Sequence, residues 1–387
     1  MTRYYCDHAA TTPCRPEVWA QMEKYAVQEF GNASSFHSFG RCARTAIEDA
    51  RRDIAVLLGA SAGEIAFTSG GTESIHLALR GAALANRERG IGIVTSAIEH
   101  EACLRACVAL RGEGFTVSIL KPDSQGRISP EQVFDAIDDN TTILSLTHAN
   151  NEIGTILPLA EIVKAARQKK PSVLVHVDAV QSVGHIPVDV DALDVDLLSF
   201  TAHKFYGPKG IGALYMRNGV AIHAQTRGGS RHCDVHEGTE SVPLIVGMAE
   251  ALKAAVREMD GERAYWQKFR DEVETSICDL IPASRVNGSL AERLDHFLSI
   301  SFRGIEGEDL MLRLDQRGIC VSTGSACNLS KGTSSHVLDA IGLSRVWNLG
   351  TLRLTFGHGC RQLNPDQLVQ EIADTVRNLR SISPFRI

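Results

Sequence analysis

The chain has 387 residues, 44% of them apolar and 22% charged, with a net charge of −6 and ten cysteines. That length exceeds what one core usually supports and predicts a large domain plus a smaller one, while the acidic balance leaves no electrostatic footprint for nucleic acid. No stretch supplies the roughly 18 uninterrupted apolar residues of a membrane helix, and the opening "MTRYYCDHAATTP" lacks the basic start and apolar run of a signal peptide, so a cytoplasmic protein is expected.

After an N-terminal arm, residues 1–14, expected to pack with the small domain, "RTAIEDARRDIAVLLGA" sets Ile47, Ile54, Leu57 and Leu58 at helical spacing and stops on Gly59. Short apolar runs then alternate with helices. "EIAFTS", "GIGIVTS", "TTILSLT", "SVLVHVD" and "VDLLSF" do not alternate polar with apolar, which predicts strands buried on both faces of a largely parallel sheet. "ESIHLALRGAALANR" and "PLAEIVKAARQKK" are helices between them. This is α/β architecture for a large domain over 15–254. From Pro243 to about Ile281 runs a long helical pattern, interrupted near Gly261, that leads into a smaller α+β domain over 255–387. Its strands are "HFLSISFRG", "GICVST" and "TLRLTFG", and "PDQLVQEIADTVRNLRSI" is its last helix.

The cysteines show no CxxC spacing, which argues against a zinc site and a disulfide framework. Cys103 and Cys107, four apart on a helix, read as core residues because nearby ligands are not apparent. Cys327 differs: it stands in "VSTGSACNLS", among glycine, serine and alanine, where nothing bulky shields it.

In open α/β sheets ligands bind beyond the carboxyl ends of the strands, so the residues that follow each strand carry the most information. Ser69-Gly70-Gly71-Thr72 follows the first run and suits a phosphate, though it lacks the GK[ST] of a nucleotide loop. His100 follows the second, and His148 to Glu152 the third. Asp178 ends the fourth with Gln181 three residues on, and Thr201, His203 and Lys204 follow the fifth. Singly these read as helix entries, caps and solvated charges; together, at five strand ends, they read as a site. A phosphate cradle, an acid and a lysine are what pyridoxal 5'-phosphate requires: an anchor, a partner for its ring nitrogen and an amine for its Schiff base.

"DHAATTP", "EFGNASSFHSFG", "FTSGGTES", "IEHEA", "NNEIGT", "HVDAVQSVG", "SFTAHKFYGPKGIGALY", "STGSACNLS" and "LRLTFG", in this order, resemble the cysteine desulfurases of the NifS/IscS type. The resemblance implies a fold type I pyridoxal-phosphate transferase with a mostly parallel seven-stranded sheet. It implies Lys204 as Schiff-base lysine, Asp178 as partner of the pyridine nitrogen, and His100 stacked on the ring and shuttling protons. Gln181 and Asn151 would lie near the phenolic oxygen. Gly71, Thr72, Thr201 and His203 would hold the phosphate, joined by Thr239 from the second subunit of a homodimer. Arg353, with Asn32 and Asn151 near it, would bind the carboxylate of L-cysteine.

Cys327 would then be the nucleophile that takes the sulfur as a persulfide, leaves L-alanine, and passes the sulfur to an acceptor protein for iron–sulfur assembly, tRNA thiolation or DNA phosphorothioation. Through that persulfide Cys327 is also a point at which an iron–sulfur metal site could be met. A selenocysteine lyase on the same fold is the alternative. Relatives commonly carry arginine where His358 stands and asparagine where His8 and His76 stand, and the stretch from Gly228 to Thr239 departs from their arginine- and glycine-rich pattern.

Overall fold

The computed structural model describes residues 3–225, 238–324 and 334–383. Its strands, in chain order, are β1 (Tyr4–Tyr5), β2 (Ile65–Thr68), β3 (Gly92–Ser96), β4 (Thr116–Leu120), β5 (Thr141–Thr147), β6 (Leu174–Asp178), β7 (Leu197–Thr201), β8 (Gly212–Met216), β9 (Ser284–Val286), β10 (Phe297–Phe302), β11 (Ile319–Cys320) and β12 (Thr351–Thr355). Seven of them form one sheet in the order β2-β8-β7-β6-β5-β3-β4. From β7 to β4 all neighbours are parallel, and β8 runs antiparallel to both β7 and β2. The C-terminal ends of β2, β3, β5, β6 and β7 therefore meet at one edge.

Those five strands are buried along their whole length, which is why each reads as an unbroken run in the sequence. The period of two then sorts their side chains. Leu144, Leu146, Val175, Val177, Leu198 and Phe200 face one core, shared with the helix Ser38–Leu57 and the first half of the helix Val242–Leu280. Ile143, Leu174 and Leu197 face the other, where Ala102, Cys103, Ala106 and Cys107 of the helix Glu101–Gly112 pack. Ser145 and Thr147, His176 and Asp178, Ser199 and Thr201 share that second face. Polar residues on three adjacent strands thus stack toward the sheet's C-terminal edge, and His176 ties the lower row by bridging Ser145 Oγ (2.8 Å) and Ser199 Oγ (2.9 Å).

The helix Val242–Leu280 runs 39 residues without a break, so the interruption expected near Gly261 does not occur. Gly261 is exposed with open space around it, and one exposed helical glycine costs only about 1 kcal/mol. Packing at both ends outweighs that cost: Val242 to Ala255 contribute to the core beside the sheet, and Trp266, Phe269, Val273 and Ile277 to a separate core. The latter lies under the antiparallel sheet β12-β10-β9. β1 pairs in parallel with β11, which brings the N-terminal arm to it. A small fourth core joins Ile98 and Ile153 to Val337, Leu338, Ile341 and Leu343. Among the described residues no helix is long and apolar enough to cross a membrane.

Candidate active site

At the sheet's C-terminal edge Gly71, Thr72, His100, Asn151, Asp178, Gln181, Thr201, His203, Lys204 and Arg353 line one cavity of about 300 Å³. A larger hollow of about 650 Å³ near Arg127 and Glu161 has neither lysine nor histidine among its lining residues, so chemistry and not volume distinguishes the site. Asn32 is exposed and does not line the cavity; its Oδ1 accepts from Ser34 N–H at 2.8 Å in a local turn. Thr239 lines a different hollow, with Arg51 and Ser69. Cys327 lies outside the described residues, as does most of the 228–239 stretch.

Lys204 follows β7 on a single helical turn, Ala202–Lys204, and donates from Nζ to the carbonyls of Ala9 and Ala10, the latter at 2.9 Å. Its turn is held from behind. His185 Nε2 donates to the Lys204 carbonyl at 2.9 Å, and Tyr206 keeps φ at 65°, a strained value for a bulky residue, secured by its N–H to Thr12 Oγ1 at 2.7 Å. The arm is therefore part of the site. Gln181 Nε2 also donates to Ala9, at 3.0 Å.

Asp178 is buried, and that burial raises its carboxyl above the usual range against the opposing pull of His100 and Lys204. Its Oδ1 accepts from Val180 N–H at 3.0 Å. His100 caps the helix Glu101–Gly112: Nδ1 accepts from Ala102 N–H at 3.1 Å, which leaves the proton of the neutral ring on Nε2. Burial, then the charges of Lys204 and Lys209, lower His203 to about 4, so that ring is neutral until an anion arrives beside it. Gly71 has no room for a Cβ, which would stand 2.9 Å from Val180 Cγ2 in the cavity wall. The Thr201 hydroxyl is committed to Ile211 O at 2.8 Å and must turn to donate elsewhere.

Arg353, on β12, is buried and reaches across from the other core: Nη1 donates to Asn151 O at 2.8 Å and Nη2 pairs with Asp7 Oδ1 at 2.7 Å, while its buried Nε has no partner. Asp7 and the Ala9 and Ala10 carbonyls gave no signal of their own in the sequence. Asp7 lies inside the "DHAATTP" motif; the carbonyls are backbone and invisible to residue type. A small molecule bearing an aldehyde, a basic ring nitrogen and a phosphate would find an amine, a buried acid and a set of hydroxyl, imidazole and backbone donors in this one cavity.

Residues 4–364 match the class-V aminotransferase family. A cysteine desulfurase IscS of Dictyoglomus turgidum is 45% identical over 386 residues, covering 99% of this chain and 96% of that one. The chain is a class-V aminotransferase of the cysteine desulfurase group. Two solved structures are similar to this desulfurase: a NifS-like protein, TM-score 0.92 at 35% identity, covers 98% of this chain and 100% of that one. SspA in complex with cysteine, TM-score 0.80 at 34% identity, covers 91% of this chain and 98% of that one. The enzyme thus takes sulfur from cysteine, and the cavity at its sheet edge gathers His100, Asp178, His203, Lys204 and Arg353.

Proposed function

We propose that the desulfurase depends on pyridoxal 5'-phosphate, with Lys204 as the lysine that binds it covalently, and that Cys327 receives the sulfur of L-cysteine. The observation that carries this reading is that Lys204, Asp178 and Arg353, from distant parts of the chain, line one cavity. Gly71, Thr72, Thr201 and His203 hold the phosphate, and Asp178 keeps a proton on the ring nitrogen. When bound, the cofactor serves as an electron sink for charge developing on the substrate carbons.

The chain's own residues do the rest. Arg353 grips the substrate carboxylate, for which its unpartnered Nε is a ready donor. Lys204 Nζ, when displaced by substrate, has the Ala9 and Ala10 carbonyls to hold its proton. His100 relays a proton through Nε2, since Nδ1 is committed to the helix cap. An unperturbed thiol, with a pKa near ~8.5, is only a few per cent thiolate at neutral pH, so Cys327 needs such a relay. Its thiolate attacks the substrate sulfur; the S–S bond forms as the Cβ–S bond breaks, and the electron pair left at Cβ takes a proton to give alanine.

The persulfide then goes to an acceptor protein in the cytoplasm, for iron–sulfur assembly or for tRNA or DNA thiolation. We read the active enzyme as a homodimer in which Thr239 of each subunit reaches the other's phosphate site, and the chain as an arm (1–14), a large domain (15–254) and a small one (255–387). The test is reduction with borohydride. The purified protein is expected to be yellow, to lose its colour, and to gain the cofactor's mass on the peptide containing Lys204. A colourless protein that takes up no pyridoxal phosphate refutes the reading.

A further inference from the structure

A second, much smaller hollow adjoins the turn that carries Lys204. Arg15, His185, Tyr206, Glu262, Trp266 and His296 are among the residues that line it, and at about 30 Å³ it has room for a water molecule but none for a substrate. It is a junction between two parts of the molecule. His185 and Tyr206 belong to the loops around the seven-stranded sheet, whereas Trp266 belongs to the core under the small sheet and His296 immediately precedes β10.

His185 is the link across this junction. Asp178, Gln181 and His185 follow one another at the end of β6; the first two line the cofactor cavity, and the third donates from Nε2 to the Lys204 carbonyl at 2.9 Å. Gly184 lets that segment come close: its φ is +82°, and a Cβ there would stand 2.6 Å from Cβ of Phe205, the residue after Lys204. His296 stacks on the His185 ring, with centroids 4.4 Å apart and planes 29° from parallel. The His296 carbonyl in turn accepts from Phe356 N–H at 3.0 Å, and in the same pair of strands Ser299 of β10 lies opposite Arg353 of β12. Burial lowers both His185 and His296 below the ordinary imidazole range, so the two rings stack without mutual charge repulsion.

We propose that His185, braced by His296, is a positioning residue for Lys204, holding the lysine's turn in place against the small sheet that carries Arg353. The inference rests on reading Lys204 as the lysine that binds the cofactor. Its physical basis is that a long side chain is only as well placed as the backbone it hangs from. Ala202–Lys204 is a single turn whose N-cap, Thr201, makes no side-chain cap, so its place depends on contacts from outside. A hydrogen bond to a carbonyl and an aromatic stack are each worth roughly two- to tenfold in an equilibrium, and a reacting group misplaced by about 1 Å can cost as much as roughly a hundredfold in rate.

The experiment uses holoenzyme. Turnover of L-cysteine gives kcat and KM, and the rate at which the loaded protein loses its cofactor on dilution is followed by absorbance. His185→Ala is expected to lower kcat roughly tenfold and to speed cofactor loss by a similar factor, while KM moves less than about twofold. His185→Gln, whose amide can donate to the same carbonyl, should return both rates to within about threefold of the parent. His296→Ala should cost roughly threefold in each, and the double variant should be no worse than His185→Ala, because His296 acts through His185. If His185→Ala does not fold, His296→Ala and His185→Gln carry the test. Rates within about twofold of the parent in every alanine variant that folds would overturn the proposal, as would a His185→Gln no better than His185→Ala, or a lowered melting temperature with kcat and cofactor loss unchanged. Borohydride reduction of the parent is run beside them: if it puts no mass on the Lys204 peptide, the failure belongs to the reading of Lys204 and not to the histidine pair alone.

Discussion

At the sheet edge Thr147, Asp178 and Thr201 come from three adjacent strands whose register fixes their spacing, and a buried row of Ser145, His176 and Ser199 supports them from below. Around Gly324 and Ser335 the arrangement is the reverse: one flank belongs to the small-sheet core, the other to the patch formed with Ile98 and Ile153. The first region holds groups that must not move relative to one another. The second brackets residues 325–333, and its two sides have separate moorings. The two regions are held by different kinds of contact: a hydrogen-bonded strand register in one case, apolar packing and a few side-chain hydrogen bonds in the other.

Arg353 joins the two regions, since it contacts Asn151 O from the sheet edge, Asp7 from the arm and Ser322 from the near flank. Arg353→Ala therefore tests whether the regions can be separated. KM for L-cysteine is expected to rise roughly 10- to 150-fold, the worth of a charged hydrogen-bonded pair, with a smaller fall in kcat. Equal losses in kcat and kcat/KM would mean that the guanidinium acts only in the transition state, and kcat and KM both unchanged would return it to a structural role.

A smaller effect sharpens the rigid side of the comparison. Burial lowers His8 and His148 to about 4 and His176 to about 3. His8 shows why: Nδ1 donates to Thr355 O at 3.0 Å and Nε2 accepts from Gly359 N–H at 3.3 Å, so a second ring proton would break the latter bond. An unfolded histidine titrates near ~6.5. Between that value and about 4 the unfolded chain binds protons that the folded chain refuses, so stability is present above about pH 6.5 and is lost as pH falls. From about pH 7 to about pH 5 each such histidine removes on the order of 1–2 kcal/mol. Thermal melts should drop over that range, and His8→Asn should flatten part of the slope; melts independent of pH would contradict the buried neutral rings.

Much of the sheet edge was legible in the sequence because strands buried on both faces leave continuous apolar runs whose ends are easy to find. β4, an exposed edge strand, leaves no such run. The long helix misled in one place, since a glycine is a weak stop when both sides of it are packed. Lys204 and Asp178 were legible as strand-end residues, whereas Arg353 sits mid-strand on β12 and was placed only by resemblance to a family. Asp7 and the Ala9 and Ala10 carbonyls act through contacts with residues far away in the chain, Arg353 and Lys204. Neither residue type nor spacing encodes such pairings.

The central claim is that sulfur leaves L-cysteine for Cys327 at the cavity that Lys204, Asp178 and Arg353 line. Its most direct test is a single turnover of cofactor-loaded enzyme with L-cysteine, quenched by alkylation and mapped by peptide mass. The account predicts one extra sulfur on the Cys327 peptide in step with alanine release, and neither in Cys327→Ser, which still perturbs the cofactor's absorbance on binding cysteine. Alanine released at the parent rate by Cys327→Ser, or sulfur found first on another of the ten cysteines, would contradict it.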